Sequence, residues 1–301
     1  MGRARTDKSN GSTSLLRTYY WLTKPGIIYG NAINTAAGFF LASAVQRQVD
    51  VWLLAAVLAG SSLVIACGCV INNVIDRGID QKMARTSKRA LAQGTIPERT
   101  AVIYGSALGV MGFTVLALCT NLLTVAIGAV GLFFYLVLYS IGKRRSVYGT
   151  LIGSVSGAVP PLAGYCAVTN RIDAGAVILF SILVCWQVPH FYAIALYRLK
   201  DYTAAGLPVW PAKKGLRSTQ IQMLLFVVAF TVAAALLTVY GYTGTIYLVV
   251  MAVLGIAWLW RALQGFRPGV DTARWARGMF FFSLVITLAT AVMLSVGSLL
   301  P

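Results

Sequence analysis

Acidic side chains are scarce in this chain: eight Asp and Glu among 301 residues, against 25 Lys and Arg. Charge of either sign is thin, at 11% of residues, whereas 58% are apolar. A soluble protein of this length would be about 25% charged. That shortfall excludes a soluble enzyme and points to a polytopic membrane protein, and no stretch reads as a separate soluble domain. Histidine occurs once, as His190. Cys67-x-Cys69 has no second Cys or His pair at zinc spacing, so the five cysteines read as small apolar residues rather than a metal site. Residues 1–18 lack an apolar core and are not a secretory signal. A disordered cytosolic tail is expected over 1–20, followed by a single transmembrane domain over 21–301. The net charge of +17 would suggest nucleic acid in a soluble protein. In a membrane chain the positive-inside rule accounts for it, and no nucleic-acid partner is expected.

What is abundant is long apolar runs. They fall at about 27–44, 52–75, 101–119, 121–141, 149–168, 174–197, 221–241, 243–262 and 278–299, each long enough to cross a bilayer as a helix. The expected fold is therefore all-α with nine transmembrane helices. With a cytosolic N-terminus, 23 of the 25 Lys and Arg fall on the inner side, leaving Arg47 and Arg171 outside. This asymmetry supports the helix count and orientation, with the C-terminus periplasmic. Pro160-Pro161 is expected to break or kink the fifth span. Gly105-xxx-Gly109 and Gly149-xxx-Gly153-xxx-Gly157 are expected to let neighbouring helices approach closely.

The few acids then gain weight. Asn72, Asp76 and Asp80 are spaced four apart where the second span leaves the membrane on the inner side. On a helix they drift only ~40° per step, so one face carries all three, each ~6 Å above the last. That spacing is too long for one shared ion but suits Mg²⁺ ions spread along a diphosphate, because Mg²⁺ takes a few carboxylates plus phosphate oxygens and water. Asn72 and Asn73 lie deeper, where an unpartnered polar group is costly. The loop that follows carries Arg85, Lys88 and Arg89, of which the two guanidiniums suit bidentate phosphate contacts. A second inner stretch follows the sixth span. If that helix runs on through Asp201, then His190, Tyr197 and Asp201 share a face flanked by Arg198 and Lys200. That face could close over the first from the other side.

These residues resemble the UbiA superfamily of intramembrane prenyltransferases, whose first aspartate-rich motif is similar to Asn72-xxx-Asp76-xxx-Asp80. Thr23-Lys24-Pro25-Gly26-Ile27, Ser146-Val147-Tyr148-Gly149-Thr150, Pro160-Pro161-Leu162-Ala163-Gly164-Tyr165, Trp186-Gln187-Val188-Pro189-His190 and Lys200-Asp201-Tyr202 resemble the haem-farnesylating branch of that superfamily. The resemblance spans nearly the whole chain after about residue 20. It departs from the broader superfamily at the second motif, where Tyr197 and Ala205 stand four residues either side of Asp201 in place of a second aspartate.

The resemblance implies a UbiA-like bundle that joins farnesyl diphosphate to protohaem IX (haem B, a substrate rather than a cofactor), giving haem O. It implies Mg²⁺ as cofactor, with Asn72, Asp76, Asp80 and Asp201 as metal-binding and catalytic residues. Arg85, Lys88, Arg89, Lys143, Arg144, His190, Tyr197, Arg198 and Lys200 are then the substrate-binding candidates, Lys143 and Arg144, together with Arg145, for the haem propionates. With one histidine, a bond from His190 to the haem iron stays open. The implied setting is a bacterial inner membrane, the active site facing the cytosol. The product would pass to a haem A synthase or to terminal-oxidase assembly. A cation-coupled transporter would instead carry charges mid-span and repeat halves with broken helices.

Overall fold

The computed structural model of the chain describes residues 9–297, with side chains from Leu15 onward, and every regular element among them is helical. The elements are α1 (Ser9–Leu22), α2 (Pro25–Gln46), α3 (Val51–Asp80), α4 (Glu98–Cys119), α5 (Leu122–Phe133), a π-helical stretch (Phe134–Tyr139), α6 (Ser140–Arg145), α7 (Gly149–Gly157), α8 (Val159–Thr169), α9 (Ala174–Tyr197), α10 (Leu199–Ala204), α11 (Trp210–Val239), α12 (Thr245–Gln264) and α13 (Thr272–Val296). In a bilayer each backbone N–H and C=O must be satisfied within its own segment, which is why so apolar a chain folds into helices alone.

Among the described residues, eight helices are long and apolar enough to cross a membrane, with α5 to α6 and α7 to α8 each counting as one. The expected count of nine is not confirmed. The segment that falls short is α2, which has 22 residues but carries Asn31, Asn34, Thr35, Ser43 and Gln46. The expected tail over 1–20 is also corrected: from Ser9 on it is helical. Tyr19 and Leu22, about one turn apart, give α1 an apolar seat. Leu22 is buried with Val70, Leu91 and Ile96, and the Tyr19 ring meets Tyr104 edge-on at 5.2 Å. Residues 1–8 lie outside the described residues.

Polar side chains set the helix boundaries. Asp50 caps α3 by accepting from the Trp52 and Leu53 N–H groups at 2.9 and 3.0 Å, Asp173 caps α9 from Ala176 at 3.1 Å, and Asp271 caps α13 from Ala273 at 3.0 Å. Asn121 caps α5 and donates to the Cys166 and Ala167 carbonyls, tying the short 119–121 break to the end of α8. Pro160 and Pro161 sit in the first turn of α8, and the expected break falls just ahead of them at Ala158. Small residues let the helices touch. A Cβ at Gly109 on α4 would stand 2.9 Å from the Cys67 sulfur on α3. One at Gly164 on α8 would run into the Thr35 carbonyl of α2.

Two local departures shape the interior. Lys24 takes left-handed φ/ψ angles of 55° and 65° between α1 and α2, a conformation that residues other than glycine seldom adopt. It turns the chain so that this lysine reaches α3. The π-helical stretch widens one turn of the span that began as α5.

Candidate active site

One large cavity, of about 790 Å³, is enclosed by the bundle. On α3 its walls are Ser61, Val64, Ile65, Gly68, Cys69, Asn72, Asp76, Ile79 and Asp80, the three-and-four spacing of a single helix face. From Ser61 to Asp80 that face is ~28 Å long. Its C-terminal end is polar and the remainder largely apolar, so one chamber joins a charged mouth to an oily interior.

The mouth gathers most of the residues singled out by the sequence. Asn72, Asp76 and Asp80 are all buried, at 4%, 8% and 5% exposure. Two carboxylates at a helix C-terminus oppose the helix dipole, so they need local compensation. Asp76 pairs with Lys143, and Arg144 reaches it at 3.5 Å while also donating to the Ile75 carbonyl at 2.5 Å. Arg89 holds Asp80 with one nitrogen at 3.0 and 2.8 Å from the two oxygens and lies 3.5 Å from the Asn73 oxygen. Lys143 and Arg144 thus both contact Asp76.

Asn72 is held from two sides. Its Oδ1 accepts from Lys24 Nζ at 2.9 Å and from the Tyr135 hydroxyl at 3.2 Å. An ammonium can only donate, so Lys24 fixes which end of the amide is oxygen. The Nδ2 group is left buried with no partner. A buried unpaired N–H beside cations is a place for an acceptor oxygen, as a phosphate provides. Lys24 itself is half-buried, and burial pushes its ammonium down to about 8. Behind Asn72, Tyr135 and Tyr139 of the π-helical stretch stack at 5.9 Å with 8° between their planes. Asn73 donates to the Leu22 carbonyl at 2.9 Å and ties the end of α1 to this helix.

The second stretch is built differently. α9 does not run through Asp201: it stops at Tyr197, Arg198 leaves helical geometry at φ −110°, ψ 21°, and α10 starts afresh at Leu199. The expected common face of His190, Tyr197 and Asp201 is thus broken. His190, Tyr197, Arg198, Arg85 and Arg89 line the cavity, and so do Lys24 and Tyr202, which the sequence reading did not pick as site residues. Asp201, Lys88, Lys200 and Arg144 do not line it. Asp201 instead pairs with Arg198 at 3.8 Å. Burial raises the Tyr202 phenol above its ordinary value, against the opposing pull of Arg85.

The donor set fits a hard, oxygen-binding divalent cation held together with an oxyanion. Asp76 and Asp80 offer carboxylate oxygens, while Lys24, Arg85, Arg89 and Lys143 offer phosphate-binding charge around them. Among the described residues no three His, Cys, Asp or Glu side chains converge on one point. A cation here would complete its shell with substrate oxygens and water, as Mg²⁺ does.

Residues 31–285 match the model of the UbiA prenyltransferase family. The chain belongs to that family. Its relatives are more particular. It is 49% identical to protoheme IX farnesyltransferase 2 of Chromobacterium violaceum, over 95% of this chain and 94% of the relative. It is 48% identical to protoheme IX farnesyltransferase of Pectobacterium carotovorum, over 95% and 97%. Among solved structures, a digeranylgeranylglyceryl phosphate synthase superposes with a TM-score of 0.77 at 20% identity, covering 94% of this chain and 98% of that one. A UbiA homologue of Archaeoglobus fulgidus bound to GPP and Mg²⁺ superposes with a TM-score of 0.67 at 13% identity, covering 92% and 99%. These two likenesses carry the fold, an all-helical bundle; the family match and the eight long apolar helices make it a multi-pass membrane prenyltransferase.

Proposed function

We propose that this enzyme transfers the farnesyl group of farnesyl diphosphate to a vinyl group of protohaem IX, with addition of water, giving haem O and diphosphate. The observation that carries the reading is the single α3 face on which Asn72, Asp76 and Asp80, ringed by Lys24, Arg89 and Lys143, open into a long apolar chamber. A diphosphate fits the mouth, and an isoprenoid chain and a macrocycle fit the interior.

Asp76 and Asp80 would hold Mg²⁺, which when bound supplies positive charge to the departing diphosphate. The chain's own residues do the rest. Arg89 and Lys143 turn from their carboxylate partners to the phosphate oxygens, and Lys24, keeping its bond to Asn72, adds charge beside them as the C–O bond lengthens. The Asn72 N–H group donates to a phosphate oxygen, its own oxygen being engaged by Lys24 and Tyr135. Arg198 and Arg85 close the other side of the mouth. Asp201 acts by holding Arg198 rather than by touching the metal, and Lys88, Lys200 and Arg144 add charge around the rim. Tyr135 and Tyr139 present aromatic faces to the allylic cation. The apolar walls keep water off it until the vinyl carbon has attacked. Water then adds to the haem-side cation and loses its proton, leaving a hydroxyethylfarnesyl group.

The charge asymmetry supports an N-terminus and a mouth on the cytosolic side, and the bacterial relatives support an inner-membrane setting; residues 21–301 would act as one domain, with haem O passing on to a haem A synthase or terminal-oxidase assembly. The test uses purified protein in lipid nanodiscs with Mg²⁺ and farnesyl diphosphate, offered either protohaem IX or 4-hydroxybenzoate. Mass analysis is expected to find haem O and no prenylated benzoate. Prenylation of the benzoate alone would overturn the substrate, and normal haem O formation by Asp76→Ala would overturn the site.

A further inference from the structure

His190 sits on α9, away from the acids, with its ring in the cavity wall and 8% exposed. Its surroundings specify a tautomer. His190 Nδ1 lies 2.7 Å from the Ser283 hydroxyl on α13. That hydroxyl has one hydrogen, and it donates to the Phe280 carbonyl at 2.6 Å. Both bonds coexist only if the imidazole donates its Nδ1–H to Ser283. The lone pair is then on Nε2, which bonds to nothing among the described residues and belongs to the ring that lines the chamber.

The ring is also locked. Trp186 stacks on it at 4.8 Å and 24°, while Phe280 and Phe191 pack at 5.0 and 5.3 Å. Trp186 is itself anchored by donating its indole N–H to the Ser283 carbonyl at 2.7 Å. An imidazole whose Nδ1–H is tied down, whose plane is clamped and whose Nε2 is bare has the second-shell arrangement of a metal-ligating histidine.

We infer that His190 Nε2 is the axial ligand of the haem iron, with Ser283 as its positioning residue. This rests on protohaem IX being the acceptor. The bond is a simple donation of the Nε2 lone pair to the metal, and it fixes where the vinyl edge lies relative to the diphosphate mouth. It also gives the site a way to prefer iron-loaded porphyrin over the metal-free ring.

The test compares binding of ferric protohaem and of metal-free protoporphyrin IX to the nanodisc protein, with Soret absorption and electron paramagnetic resonance as readouts. Wild type is expected to bind protohaem roughly tenfold or more tighter than the metal-free ring and to show a nitrogen-ligated iron spectrum. His190→Ala is expected to lose that spectrum and the preference while still binding metal-free porphyrin, and added imidazole to restore the spectrum. Ser283→Ala is expected to weaken protohaem binding about tenfold with metal-free binding unchanged. An unchanged iron spectrum and preference in His190→Ala, as for a residue that only packs or moves protons, would overturn the inference. So would equal binding of the two rings by wild type. Haem O formation by wild type is measured separately: if it persists while the ligation result fails, the axial bond is wrong and the farnesylation reading stands.

Discussion

The end of α3 and the end of α9 both leave the bundle beside the same cavity with an acid in the last turns or just beyond. On α3 the helix continues unbroken to Asp80 despite Gly78, so three oxygen-bearing side chains keep one face and enter the cavity together. On α9 the helix ends four residues before Asp201, and what enters the cavity is Tyr197 and Arg198. A continuous helix makes a carboxylate ladder, whereas an interrupted one turns its acid outward and its cation inward. On the proposed reading the two ends divide the work: one would hold the metal and the other the anion.

That division can be broken in order of expected effect. Stripping divalent cations with a chelator is expected to abolish haem O formation, and Mg²⁺ to restore it. Asp76→Ala and Asp80→Ala are each expected to lower kcat by about 10²- to 10³-fold, with the proteins still inserted and folded by circular dichroism. Arg89→Ala is expected to cost about 1.5–3 kcal/mol, the range for a hydrogen bond to a charged group, read mainly as a raised KM for farnesyl diphosphate. Asp201→Asn is expected to cost about 0.5–3 kcal/mol through Arg198 and to cost nothing further once Arg198→Ala is present, which a double-mutant cycle measures. A loss in Asp201→Asn as large as in Asp76→Ala, and independent of Arg198, would erase the contrast. Lys88→Ala and Lys200→Ala, both off the cavity, are expected to stay within about 0.5 kcal/mol of wild type in kcat/KM.

Much of this was readable from residues alone, for physical reasons. The break at 119–121 was visible because two apolar runs together exceed a bilayer, and the break before Pro160 because two successive prolines remove two N–H donors and crowd the preceding turn. The α3 face followed from spacing. The stop at Tyr197 left no mark, since no glycine or proline occurs between Pro189 and Gly206. It is accompanied by a local contact, the Arg198 guanidinium lying over the neighbouring Tyr197 ring at 5.3 Å, and both residues line the cavity. Lys24 went unpicked as a site residue because a lysine ahead of a span looks like inner-side charge. Only its left-handed backbone turns it onto Asn72. Ser283 was invisible for a similar reason, lying 93 residues from the ring that it orients.

The π-helical turn at Phe134–Tyr139 carries a consequence for how this enzyme tolerates change. A turn of that kind holds one residue more than its neighbours, so everything after it is set in phase by that extra residue. Lys143, the partner of Asp76, lies four residues beyond the stretch. Straightening those six residues into an ordinary helix at full length would swing Lys143 away from the carboxylate by ~100°, whereas losing one residue and straightening would leave it near its present face. A homologue one residue shorter here could thus present the same cation from a plain helix, whereas an insertion or a longer deletion would rotate it off the carboxylate.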